Sequence, residues 1–400
     1  MSAELRAGTI VTVAGTGEPG WSGDGGAPIA ATLNEPKHVA VDAHGNIYIA
    51  DSENHVVRKI DKITERIGTI AGMATVPVHA HGPMDPISEE EEHDDPLADT
   101  GMKQSHAFSQ QSDLSGTVRY VVNTATAAKR FCGDGGSALQ AQLNFPTAIV
   151  VDDDGNVFIA DTMNHRVRRV DAISGLITTV AGTGHARYSG DGGPAIAATL
   201  NEPAALAVSK QGTLFIADQS NNRIRAVDAQ TGMIRTVAGT GTAAYNGDEI
   251  PATEASLAGP SGLWLTSDGT LFIADTFNGR IRAIDPATGL IRTVVGDGGE
   301  YRYQGPGELA SRSLSRPSGI ACDTLGNVYV SDSDNHLIRR WNGRNGRLER
   351  LVGQGTAEFG GDGGPALGAS LNFPFGMAID RDGQLLVADT FNHRIRAITL

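Results

Sequence analysis

The chain has 400 residues, with 51 glycines, 17 prolines and only 5% aromatic side chains, a turn-rich composition. Its 32 Lys and Arg against 46 Asp and Glu leave a formal charge of −14, which argues against general affinity for nucleic acid or anionic lipid. The first 20 residues hold no apolar run of signal-peptide length and no stretch approaches a membrane helix, so a cytoplasmic, non-membrane protein is expected. Cys132 and Cys322 are too few for a disulfide framework or a cysteine-rich zinc site and read as small apolar residues.

Six segments are copies of one unit: ADSENHVVRKID (50–61), ADTMNHRVRRVD (160–171), ADQSNNRIRAVD (217–228), ADTFNGRIRAID (274–285), SDSDNHLIRRW (331–341) and ADTFNHRIRAIT (388–399). Four successive intervals between their aspartates are 57 residues and the first is 110, so one interval carries an insertion of 53 residues. In the first unit, HVAVD (38–42) and IYIAD (47–51) read as strands around a turn at AHGN. HVVRKID (55–61) and IGTIAG (67–72) alternate as a third and a fourth strand. A four-stranded blade cannot bury both faces alone, and radial stacking of six such blades does so. The expected fold is therefore all-β, a six-bladed β-propeller of antiparallel blades running over residues 1–400. IVTVAG (10–15) is a fourth strand without the first three, and the last unit stops after its third. Residues 8–15 are thus expected to close the ring against 391–399.

The recurring ADTxNHRIR core, the lead-ins LNEPKHVAVD, LNFPTAIVVD and LNFPFGMAID, and the loops SGDGGAP (22–28) and SGDGGPA (189–195) together resemble the NHL-repeat family of β-propellers. The resemblance covers nearly the whole chain except about 73–124. It implies that the corner between second and third strands, the GDGG connections between blades and the insertion share one face with the channel mouth. Relatives include RNA-binding and protein-binding propellers, extracellular modules and six-bladed lyases and lactonases, so fold alone does not fix function.

Residues present in every unit are expected to serve the scaffold. The corner aspartates 51, 161, 218, 275, 332 and 389, each followed three positions later by Asn, suit a side-chain-capped turn. The six arginines from Arg58 to Arg396 are expected to pair with a neighbouring blade's carboxylate. His55, His165, His336 and His393 share one slot, but one per blade cannot converge on a metal. The GDGG loops lack the helix of a phosphate cradle, and VDDDGN (151–156) reads as a hairpin turn in place of a calcium hand.

Residues that break the repeat are the functional candidates. At the start of the innermost strand the six units carry His38, Ala148, Ala205, Gly262, Gly319 and Gly376, so only the first is titratable. His38, Glu35 and Glu202 are candidates for acid/base catalysis, with Lys37, Trp264 and Arg316 as ligand-binding neighbours. The related amidating lyases hold zinc with several inner-strand histidines, whereas this chain matches that slot once, at His38. Backbone carbonyls of the channel leave a calcium or magnesium ion as an open alternative. Residues 73–124 form an acidic, histidine-containing insertion with EEEEHDD at 89–95, read as a solvated charge run or a site for metal or a basic partner. VRYVV (118–122) duplicates a fourth strand, and it could add to blade one, replace IGTIAG or pack over the mouth. Two functions follow: a propeller binding a small molecule or protein on its insertion-bearing face, or a small-molecule lyase, isomerase or hydrolase. Nucleic acid ranks last, for want of a basic face.

Overall fold

The computed structural model describes residues 8–74, 131–299, 303 and 312–400, together with the strands Ser109–Ser112 and Val118–Val121. The chain divides into two compact units, 1–74 with 131–400, and 75–130. Among the described residues of the first unit the strands form six antiparallel sheets in a ring, a six-bladed propeller. Blade one comprises Pro36–Val41, Ile47–Asp51, Val56–Asp61 and Arg66–Ala71 from axis to rim. The inner strands of successive blades touch around the axis, and that of blade six, Pro374–Ile379, returns to Pro36–Val41.

Ring closure follows the sequence expectation. Ile10–Ala14 pairs antiparallel with Arg394–Thr399, Ile10 opposite Ile398 and Thr12 opposite Arg396, completing blade six with the first strand of the chain. In the second unit Val118–Val121 pairs with Ser109–Ser112 as a separate two-stranded sheet. Arg66–Ala71 remains the fourth strand of blade one, so the 118–121 strand neither replaces it nor joins its sheet. The acidic run at 89–95 lies outside the described residues.

Each blade interface holds one apolar cluster, and its composition explains how few aromatics the fold needs. Between blades one and two a low face of Ala50, Val57 and Ala71 meets a bulky face of Ile149, Ile159 and Ile177, sealed by Ala138, Ala141 and Leu143 of the connection. The same arrangement recurs between blades six and one, where Val39, Ile49 and Ile67 meet Ala378, Ala388 and Ala397. Burying each such isoleucine stabilises the ring by about 2 kcal/mol.

The six arginines are buried, and their carboxylates come from elsewhere than the neighbouring blade expected to supply them. Arg225 lies between Asp218 of its own blade at 3.2 Å and Asp191 of the GDGG loop leading into that blade at 2.6 Å. Arg58, Arg168, Arg282 and Arg396 repeat this pairing with Asp24, Asp134, Asp248 and Asp362. Tyr188, three residues before Asp191, stacks 4.8 Å from the Arg225 guanidinium and 3.7 Å from that of Arg223.

These loops also explain why the unit is so long. Gly192 N–H donates to Ile234 O and Ala195 N–H to Gly232 O, so the connection runs along the outer edge of the fourth strand and covers it. The GDGG loops therefore belong to the rim, and the expected grouping with the channel mouth does not hold for them. Cys132 in one such loop is exposed, unlike a small core residue, while Cys322 is half-buried. Asp152 accepts from the main-chain N–H groups of Asp154 and Asn156, which makes VDDDGN the hairpin turn expected of it.

Candidate functional site

The corner end of the ring is built from one motif per blade. Asp51 Oδ1 accepts from Asn34 N–H at 2.7 Å and its Oδ2 from Asn54 Nδ2 at 2.8 Å, tying the entry of the inner strand to the corner after the second. Asp161, Asp218, Asp275 and Asp389 hold Asn144, Asn201, Ala258 and Asn372 in the same way. The next residue sits in the left-handed region in every blade: Glu35, Phe145, Glu202, Gly259, Arg316 and Phe373, with φ between 46° and 56°. Side chains rarely adopt that conformation, and here the preceding blade helps hold it. His393 Nδ1 accepts the N–H of Glu35, His55 that of Phe145, His165 that of Glu202 and His336 that of Phe373, at 3.0–3.1 Å. Asn222 Oδ1 does the same for Gly259 at 2.9 Å. The shared histidine slot is a blade-to-blade brace, and burial holds His336 and His393 at about 4, in the neutral accepting form.

A second brace passes through the β-bulge that follows each inner-strand proline. The hydroxyl after the corner aspartate donates to the proline carbonyl of the next blade: Ser52 to Pro146, Thr162 to Pro203, Thr276 to Pro317, Ser333 to Pro374 and Thr390 to Pro36. The bulged residue is Lys37, Thr147, Ala204, Ser261, Ser318 or Phe375. Bulges re-aim side chains next to functional sites.

Two variable positions, 18 residues apart, meet beside each bulge. Glu202 accepts from Ser220 Oγ at 2.6 Å, Arg316 Nε lies 4.0 Å from Asp334, and Phe373 packs edge-on to Phe391 at 5.2 Å. A Cβ on Gly259 would strike the Phe277 ring, which therefore fills that space. With Glu35 and Glu53 in blade one and Phe145 and Met163 in blade two, the corner end alternates around the ring. Blades one, three and five carry polar or charged pairs; blades two, four and six carry apolar ones.

Blade one departs furthest. Lys37 is only 4% exposed, with its Nζ 3.2 Å from Glu35 Oε2. The ammonium lies 4.6 and 4.9 Å from the ring centres of Phe375 and Phe391 in blade six, and 5.8 Å from Phe145 in blade two. Burial lowers the Lys37 amine from its ordinary value, against the pull of Glu35 and Glu53. Glu53 is pushed up by burial and by Glu35, with Lys37 opposing.

Of the residues chosen from sequence, Glu35 and Lys37 come together as this ion pair. His38 lies beside them on the inner strand, its ring against Gly376, where a Cβ would come within 2.4 Å of His38 Cδ2. Burial holds the His38 imidazole at about 4, and its Nδ1 has no hydrogen-bond partner. The carboxylate of Glu35 goes to Lys37 and that of Glu202 to Ser220, two blades away. Arg316, in blade five, places its guanidinium 5.4 Å from the Phe277 ring of blade four. Trp264 is opposite Phe272 toward the hairpin-turn end of its strand and packs into the apolar clusters on either side of blade five. Glu53, Phe375 and Phe391 escaped sequence reasoning, although each stands in a slot where the six copies disagree. Among the described residues no three His, Cys, Asp or Glu side chains stand together as a metal site. None of the described helices is long and apolar enough to cross a membrane.

Comparison with known proteins agrees with this architecture. The NHL repeat profile matches residues 33–60, 314–341 and 371–398, and the teneurin NHL domain profile matches 105–189 and 183–246. The chain is 32% identical to the chloroplastic protein Suppressor of Quenching 1 of Arabidopsis thaliana, over 66% of this chain and 26% of that protein. It is 28% identical to NHL repeat-containing protein 2 of Bos taurus, over 65% of this chain and 40% of the relative. The chain thus spans well under half of these curated relatives. An auxiliary nutrient binding protein from Bacteroides thetaiotaomicron superposes with a TM-score of 0.58 at 15% identity, over 97% of this chain and 75% of that one, a likeness of fold. Six copies of the corner motif, the ring closed by residues 10–14 and the profile matches make the chain a member of the NHL-repeat family of six-bladed β-propellers.

Proposed function

We propose that this propeller is a binding protein whose recognition surface is the corner end of the channel, taking a small molecule or an exposed segment of a protein partner. The observation that carries the reading is the alternation of polar and apolar pairs there, at the positions where the six copies differ. The scaffold's own needs are met by the shared Asp, Asn, His and Arg side chains, so the pair positions are free to vary with a ligand. Phe277, 63% exposed, and the half-buried Arg316 and Asp334 offer an apolar face beside two opposite charges.

The test is an affinity capture from cell extract of metabolites and proteins, using the wild-type chain, a Phe277→Ala/Arg316→Ala variant and a Lys62→Ala/Leu325→Ala variant of the opposite end. Loss of the captured species with the first variant alone supports the proposal. Loss with the second alone overturns it.

A further inference from the structure

Lys37 occupies a position where the fold has no use for a charge. At the same bulge Thr147 bonds to Thr162 at 2.7 Å, Ser261 to Thr276 at 2.6 Å and Ser318 to Ser333 at 2.5 Å. Blade three manages with Ala204. An amine is therefore not required for the bulge or for ring closure. Yet the Lys37 side chain is 3% exposed, and taking an ammonium out of water costs several kcal/mol unless carboxylates compensate. The compensation is present, since Glu35 touches it and Glu53 stands in the same group.

Three phenylalanines complete the surroundings, one each from the bulge and corner of blade six and one from blade two. They limit water and supply apolar surface, while Glu35 offers a proton acceptor within hydrogen-bond reach. An amine that can hand its proton to an adjacent carboxylate in such a setting is a nucleophile toward carbonyl carbon. We infer that Lys37 is a covalent site for carbonyl compounds, forming an imine with a neutral aldehyde or ketone of apolar body that reaches it from the channel mouth. Anionic carbonyl compounds are disfavoured by Glu35 and Glu53.

The step balances without any oxidant or reductant. Lys37 passes a proton to Glu35, and the freed Nζ pair forms the N–C bond as the C=O π pair moves onto oxygen. Transfer of a second nitrogen proton to that oxygen gives the carbinolamine. Glu35 then returns its proton to the hydroxyl, the C–O bond breaks, water leaves, and the nitrogen pair closes the C=N bond. Ammonium and carbonyl have become iminium and water, with Glu35 again a carboxylate facing the positive nitrogen.

This inference rests on the channel mouth being the ligand entry proposed above, and the experiment separates the two. The full chain is incubated with benzaldehyde and cyanoborohydride at pH 7, and N-benzyl lysine is mapped by mass spectrometry. Lys37 is expected to be modified at least about tenfold faster than the exposed Lys62 and Lys210, because Glu35 stands within hydrogen-bond reach to take its proton. Glyoxylate, an anion, is expected to show no such preference, and Glu35→Gln to slow the Lys37 adduct while leaving the surface lysines unchanged. Adducts confined to surface lysines in the wild-type chain overturn the inference without recourse to any variant. Benzyl alcohol cannot form an imine, and its binding is followed by saturation-transfer NMR with Phe277→Ala as the control. Mouth binding without a Lys37 adduct overturns the covalent step alone, and absence of both overturns the binding reading as well.

Discussion

The main-chain N–H of Glu35 donates to Nδ1 of His393, 3.1 Å away in space and 358 residues away in sequence. It joins blade six to blade one at the point where the ring shuts, and only an unprotonated Nδ1 can accept. Burial, aided by Lys37 and Arg394, holds His393 at about 4 against an ordinary 6.5.

The pH dependence follows from that depression. Between about 6.5 and 4 the unfolded chain binds a proton at this position and the folded chain does not, so the brace's contribution is complete above 6.5 and is lost as pH falls toward 4. Asn222 performs the same task with an oxygen that does not titrate. His393→Asn is therefore expected to match wild type at pH 7.5 within about 1 kcal/mol and to lose less stability on acidification. Urea midpoints measured from pH 7.5 to 4.5 check this, and parallel curves for the two proteins would sink the brace.

Asp191 is expected to matter more than its half-exposed loop suggests. It receives Arg225 Nε and Nη2, Thr236 N–H and the Tyr188 hydroxyl, and without it a fully buried guanidinium keeps only Asp218 as its carboxylate. Asp191→Ala should cost about 3 kcal/mol in chemical denaturation. Since these aspartates are committed to arginine, addition of calcium or of EDTA should leave the melting temperature unchanged. A rise with calcium would show that the GDGG loops hold metal.

Closure by the first strand is testable by truncation. Removing residues 1–16 strips the outer strand from blade six and exposes the edge of Arg394–Thr399 together with Ile398 of the cluster between blades five and six. The melting temperature should fall sharply. An unchanged transition would require the last blade to be stable with three strands.

The insertion should come out without harm to the ring. Gly72 N–H bonds to Ala138 O, so the two sides of the excised segment already lie close together. Deleting 75–127, the 53 residues by which the first interval exceeds the period, should leave a soluble protein with near wild-type melting. Aggregation of that protein would make the segment part of the core.

His38→Ala should reduce stability only slightly, by roughly 1 kcal/mol, because Ala148 and Ala205 serve at the same position and the imidazole Nδ1 gives up no hydrogen bond. Calorimetry checks this, and a loss above about 3 kcal/mol would mark the ring packing against Gly376 as structural.

Most of the fold was legible because the period is exact enough to count and one blade is visibly split between the two ends of the sequence. The braces were not. His165 and Glu202 stand 37 residues apart, and Asp191 and Arg225 stand 34 apart; neither spacing follows from strand periodicity, only from how consecutive blades and connections pack. At the mouth, sequence drew attention to His38 because its alternatives are Ala and Gly. Which of two adjacent residues would be driven into an aromatic cage depends on a bulge that shifts the register between Pro36 and His38, and alternation cannot reveal it.

Within the ring, the strand Ile10–Ala14 leaves the ribosome before every other blade strand, while its partner Arg394–Thr399 is made after them. During synthesis the growing chain carries an unpaired, aliphatic strand that has nowhere native to go until five blades have assembled. Such an edge invites pairing with another chain, so the interval before the ring shuts is when this protein is most exposed to aggregation, and chaperone demand should track translation speed through blades two to six.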